Sequence, residues 1–142
     1  MAEKVTNYQP SPTLFKDKVI LVTGAGQGIG AAVSMALAKY GATVILLGRT
    51  PRKLEETYDL IEKAGYPTPA IYPMNLEGAT PEDYATLNET IIKEFGHLDG
   101  LLHNASILAG LTPLEQFETE KWYKIMQINL NAPFLMTRAL MP

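Results

Sequence analysis

Lys18-Val19-Ile20-Leu21-Val22-Thr23-Gly24-Ala25-Gly26-Gln27-Gly28-Ile29-Gly30 is the stretch that decides the fold. An apolar run rich in β-branched side chains predicts a buried strand, and it runs straight into a glycine-dense turn. A helical pattern follows at once, with Ile29, Val33, Ala36, Leu37 and Tyr40 on one face at α-helical spacing. Strand, glycine turn and helix together present backbone N–H groups and a helix N-terminus to a phosphate. Glycine suits the turn because the chain bends sharply and a Cβ would block a pyrophosphate. A dinucleotide-binding turn is the expectation. Two registers fit it: Gly26, Gly28 and Ala31 match G-x-G-x-x-G/A, while Thr23-Gly24 with Gly28 and Gly30 matches T-G-x-x-x-G-x-G. The second starts at the strand end, where the turn must begin, and is preferred. No Gly-Lys-Ser/Thr follows the turn, which excludes a P-loop.

The same alternation continues along the chain. Gly41 is the expected end of the first helix. Thr43-Val44-Ile45-Leu46-Leu47 reads as a second buried strand, and Thr50-Pro51 as an N-cap with proline at the first helical position. The helix that follows buries Leu54, Tyr58 and Ile61 and stops near Gly65. A third short strand lies around Ala70-Ile71-Tyr72. Thr80-Pro81-Glu82-Asp83 starts another helix with its acids at the positive end of the dipole. That helix buries Tyr84, Leu87, Ile91 and Phe95 and ends at Gly96. Leu98 to His103 is a fourth strand, Ala105 to Glu118 a loop, and Thr119 to Met141 a last helix. Strands alternating with helices predict an α/β, Rossmann-like doubly wound parallel sheet with helices on both faces. Right-handed crossovers give the strand order 3-2-1-4, with the ligand crevice between strands 1 and 4. Residues 1–13 read as an exposed arm and 14–142 as one dinucleotide-binding domain.

Composition narrows the class. Apolar residues make up 46% and charged residues 19% of the 142, the profile of a soluble globular domain. A formal charge of −3 argues against a general nucleic-acid binder. The absence of Cys rules out disulfides, thiol nucleophiles and Cys-ligated metals and suits a reducing cytoplasm. No apolar run approaches the ~20 residues of a membrane span. The N-terminus lacks a basic segment leading into an apolar core, so no secretory signal is read there. A cytoplasmic protein with no membrane partner is expected.

Three segments, in order, resemble the short-chain dehydrogenases/reductases. Thr23 to Gly30 resembles the family's opening motif. Leu98-Asp99-Gly100-Leu101-Leu102-His103-Asn104-Ala105-Ser106 resembles its LDxLVNNAG segment on strand four. Ile128-Asn129-Leu130-Asn131-Ala132-Pro133-Phe134 resembles its vNlxgxf segment in the next helix. The likeness runs from about Phe15 to the last residue. Gly48-Arg49 and His103 further resemble a bacterial subgroup of unassigned substrate. The resemblance implies cofactor contacts from Gly24, Gly26, Gln27, Gly28, Ile29 and Gly30 on the turn and Arg49 after strand two. It adds Asn75 and Leu76 beside the adenine, and Asn104, Ala105 and Ser106 after strand four. Three positions depart from the pattern: His103 replaces an Asn, Ser106 a Gly, and Asn75 an Asp. An Asn carbonyl can still accept from the adenine amino group. His103 reads as a packed, neutral histidine, His97 as a surface one, and no metal site is expected.

The residues after strand two point to the cofactor. Enzymes that use NAD place an Asp or Glu roughly 20 residues beyond the glycines, whereas a 2′-phosphate calls for an Arg. Here Leu47-Gly48-Arg49-Thr50 is followed by Arg52 and Lys53, with no acid between Thr43 and Leu54. NADP(H) is therefore favoured over NAD(H). The alternative, a solvated helix start, is disfavoured at Arg49 because cations are unfavourable near a helix N-terminus. Gln27 stands where NADP-using relatives often carry a basic residue.

The resemblance implies hydride transfer between a nicotinamide and a carbonyl or alcohol. A Tyr would act as acid/base, with a Lys four residues on, a Ser, and an Asn that matches Asn129. Asn129 lies on an otherwise apolar face with Trp122, Ile125 and Met126, and a helix-packing role is its alternative. None of the seven tyrosines is followed four residues on by Lys. The chain also stops at Pro142, inside what reads as an unfinished helix. The expectation is the cofactor-binding part of a longer enzyme, truncated before the Ser/Tyr/Lys segment and inactive alone. The other class left open is a complete, non-catalytic dinucleotide-binding module. The apolar residues of the last helix fit either a homo-oligomeric contact, as the resemblance suggests, or the part beyond Pro142.

Overall fold

A computed structural model describes residues 7–141. Residues 1–6 of the expected arm lie outside that range, and residues 7–14 are exposed apart from a partly covered Pro10. The elements are β1 (Val19–Thr23), α1 (Gly28–Lys39), β2 (Thr43–Gly48), α2 (Pro51–Lys63), β3 (Ala70–Pro73), α3 (Pro81–Phe95) and β4 (Gly100–Leu102). A short 3-10 turn (Leu114–Gln116) precedes α4 (Thr119–Met126), a π-type turn (Gln127–Asn131) and α5 (Ala132–Leu140). All strands are parallel in the order β3-β2-β1-β4, as expected.

Side-chain alternation divides the sheet into two buried faces. Val19, Leu21, Ile45 and Leu47 meet Tyr84, Leu87 and Ile91 of α3 and Ile128, Ala132 and Met136 of the last helical segments. Val22, Val44 and Leu46 meet Ala38 of α1 and Leu54 and Ile61 of α2. The central strands are therefore covered on both sides, and their apolar runs are continuous for that reason. Among the described residues, no helix is long and apolar enough to cross a membrane.

Three details differ from expectation. The buried face of α1 is Gly30, Ser34 and Ala38, while Ile29 is 74% exposed and Ala36 is exposed as well. Close approach to the sheet selects small side chains there, so the bulky apolar residues are turned aside. In α2, Thr57 rather than Tyr58 is fully buried beside Leu54 and Ile61, because its hydroxyl donates to the Ala25 carbonyl at 3.0 Å. The last helix is not continuous: a π-type turn at Gln127–Asn131, which contains Asn129, interrupts it.

Helix starts differ in a way that bears on the site. Thr80 and Asp83 form a complete capping box at the head of α3, with Glu82 in the first turn. The heads of α1 and α2 have neither a side-chain cap nor an acid in the first turn. Both open on the same end of the sheet.

Candidate functional site

At the C-terminal ends of the strands a cleft of about 340 Å³ is lined by the turn after β1, the start of α2, and the segments following β3 and β4. This is the crevice expected where the strand order reverses. Gly24, Gly26, Gln27, Gly28, Ile29, Arg49, Asn75, Leu76, Asn104, Ala105 and Ser106 all line it.

Gly30 does not line the cleft. It is buried under the turn, where a Cβ would lie 2.1 Å from the Gly24 carbonyl oxygen. The other glycines are likewise explained mostly by protein contacts. A Cβ on Gly24 would meet Asn104 Nδ2 at 2.9 Å, and one on Gly26 would meet the Lys53 Cβ at 2.8 Å. Gly28 alone of the four has φ +56° and open space where a Cβ would point. Three of the four glycines thus meet protein atoms where a Cβ would lie, and Gly28 alone opens on free space.

The turn is tied from both sides. Thr23, 1% exposed, accepts at Oγ1 from the Asn104 and Ala105 amides, both at 3.0 Å. The Asn104 side-chain amide donates to the carbonyls of Thr23 and Gly24 at 3.1 and 3.3 Å. The Ala25 amide donates to Leu47 at 3.1 Å. Thus the segment after β4 and the end of β2 hold the β1 turn rigid. Ala31 donates the first bond of the α1 ladder to the Gln27 carbonyl, at 3.3 Å. The Gly28, Ile29 and Gly30 amides therefore lie ahead of that ladder.

On the β2 side, Arg49 and Lys53 are both exposed and both line the cleft. Lys53 Nζ donates to Gln27 Oε1 across the turn. No carboxylate pairs with either cation among the described residues; Arg52, by contrast, pairs with Glu56 at 3.3 Å on the outer face of α2. On the β3 side, Asn75 Oδ1 accepts from the Glu77 amide at 3.1 Å, which leaves that oxygen one further lone pair. Leu76 is only 8% exposed and forms an apolar floor.

Asn129 sits on the π-type turn and faces the segment after β4. Its Oδ1 accepts from the Ile107 amide at 2.9 Å, and its Nδ2 donates to the Ile107 carbonyl at 2.8 Å. Asn129 does not line the cleft, but Ile107 and Ile128 do. The apolar face expected around Asn129 is looser than anticipated, since Trp122 is 50% exposed. His103, expected to be packed, is instead exposed; its Nε2 lies 2.7 Å from Thr137 Oγ1 on α5, and partial desolvation there pushes its imidazole below the ordinary histidine range. Sequence reasoning did not select Thr23, Ile107 or Ile128. Thr23 and Ile128 stand in quoted motifs, but Ile107 carries no signal beyond being apolar.

The Escherichia coli oxidoreductase YciK, whose own activity is uncharacterised, is 40% identical over 136 residues, or 96% of this chain and 54% of its own length. A solved Pseudomonas syringae chain assigned to the short chain dehydrogenases matches with a TM-score of 0.92 at 52% identity. That match covers 96% of this chain and 55% of the other. A Shigella flexneri 2a chain of the same assignment, solved in complex with NADP, matches with a TM-score of 0.90 at 40% identity, over 93% and 55%. The chain thus spans about half the length of these relatives. Residues 18–142 match the short chain dehydrogenase profile, and the chain belongs to that family.

Proposed function

We propose that this chain is the dinucleotide-binding part of a short-chain dehydrogenase/reductase that prefers NADP(H) to NAD(H). The substrate would be a small carbonyl compound or the matching alcohol. The observation that carries the reading is the uncapped head of α1, opening on the cleft with no acid in its first turn. Three amides ahead of the helix ladder, and the positive end of the dipole, favour a diphosphate. Open space at Gly28 leaves room for it. Asn75 and Leu76 suit an adenine, through one free amide lone pair and an apolar floor. Arg49 suits a 2′-phosphate and no carboxylate opposes one. The NADP complex of the Shigella flexneri relative supports the same cofactor.

When bound, the nicotinamide supplies the hydride. This chain's residues orient it: Thr23 and Asn104 fix the turn, and Asn129 fixes Ile107 through both amide atoms. Asn129 is in this reading a positioning residue. The chain carries no Tyr followed four residues on by Lys. The groups that move the proton would then lie in the part of the relatives that this chain does not span.

Calorimetric titration with 2′-phospho-ADP and ADP tests the reading. Arg49→Ala should weaken 2′-phospho-ADP binding roughly tenfold and ADP binding less than about twofold. Equal losses would overturn the NADP(H) preference, and failure of the parent chain to bind either ligand would overturn the dinucleotide site. The non-catalytic alternative is separated by the coding sequence beyond Pro142. A Ser followed by Tyr-x-x-x-Lys supports the enzyme, and a stop codon the module.

A further inference from the structure

We infer that Lys53 is a second cofactor-selecting cation, placed beside Arg49 to take the 2′-phosphate and held there by Gln27. The inference rests on the NADP(H) reading above. Lys53 and Gln27 are 26 residues apart, yet Lys53 Nζ donates to Gln27 Oε1, and both side chains line the cleft with Arg49. The stem of Lys53 starts against the turn. Its Cβ packs so closely on the turn that a Cβ at Gly26 would lie 2.8 Å from it. The side chain is exposed and runs along the turn to reach Gln27.

Gln27 is neutral, so it anchors the ammonium without neutralising it. One donor of Lys53 is used on the amide oxygen and two remain for an anion. The position on the turn that lacks a cation in sequence thus gains one in space, from the first turn of α2. Charge bookkeeping in this corner is otherwise unfavourable. Arg49 and Lys53 stand at the positive end of the α2 dipole, Thr50 makes no side-chain capping bond, and no acid occupies the first turn. A dianionic phosphate lying between the two cations relieves all three conditions at once. Arg52 takes no part, since it pairs outward with Glu56.

The test uses this chain, 2′-phospho-ADP and ADP, at low ionic strength. Lys53→Met keeps the stem against Gly26 and removes the charge; it should weaken 2′-phospho-ADP roughly fivefold and ADP less than about twofold. Lys53→Arg keeps the charge and should stay within about twofold of the parent for both ligands. The salt dependence of 2′-phospho-ADP binding should become shallower in Lys53→Met but not in Lys53→Arg. Equal losses for the two ligands, or none, would overturn the assignment. Two outcomes distinguish its failure from that of the cofactor reading. If the parent chain does not prefer 2′-phospho-ADP over ADP, both fall. If Arg49→Ala abolishes a preference that Lys53→Met leaves intact, only the Lys53 assignment falls.

Discussion

A Cβ at residue 30 would lie 2.1 Å from the Gly24 carbonyl oxygen, while one at residue 28 meets nothing within 4 Å. The two glycines are therefore required on different grounds, steric at Gly30 and conformational at Gly28, whose φ is +56°. Gly30→Ala presses a methyl group into backbone that cannot give way, and should cost about 3 kcal/mol or more. Gly28→Ala meets only the left-handed penalty of about 1–2 kcal/mol. Urea denaturation of the two variants separates the cases, and equal losses would contradict the geometry. Thr23 supports the same turn by hydrogen bonding. Thr23→Val keeps the shape but strands the Asn104 and Ala105 amides, both bonded at 3.0 Å to Oγ1. A loss of about 2–4 kcal/mol is expected by the same measurement. Thr23→Ser keeps the oxygen and should lose only about 1 kcal/mol, for its methyl group.

At the scale of elements, Asn129 joins the π-type turn to the segment after β4 through both atoms of its amide. Asn129→Ala leaves the Ile107 amide and carbonyl without those partners, and should cost about 1–3 kcal/mol. Hydrogen exchange at the Ile107 amide should accelerate in that variant; unchanged exchange would show that the segment holds itself. The strand–helix order was legible in the sequence because buried parallel strands are continuous apolar runs, and glycine and proline mark the ends of their helices. The faces of the helices were less legible. Gly30, Ser34 and Ala38 are small and carry little or no apolar signature, so the pattern pointed to Ile29, which is exposed. The π-type turn was not legible because a single wider turn leaves the apolar spacing nearly unchanged. Within the cleft, Arg49 was legible from its place after β2. Lys53 was legible as a cation following Arg49, but its bond to Gln27 was not, because that depends on the approach of α2 to Gly26, which is a fact of packing and not of spacing.

For the molecule as a whole, both ends of β4 contribute to the response to acid. Just before the strand, Asp99 accepts from the Val19 amide at 2.8 Å and faces His97 and Lys18 at 3.1 and 3.7 Å. The Val19 hydrogen bond, with His97 and Lys18 behind it, holds its carboxyl below the ordinary aspartate range. Just after the strand, partial desolvation pushes the His103 imidazole down. The signs are the same but the windows differ. Unfolded His103 takes up its proton near pH 6.5 while the folded form still resists, so stability falls as pH drops through that value. The Asp99 contribution is complete above about pH 4 and is lost below it, as the folded carboxylate finally protonates. Acid should therefore weaken the fold in two stages, each belonging to one end of β4. Urea midpoints measured from pH 7.5 to 3 should decline first between about pH 7 and 5. His103→Asn should flatten that first decline and leave the second in place. Asp99→Asn should remove the second and leave the first. A first decline of unchanged slope in His103→Asn would detach the β4–α5 contact from the pH response.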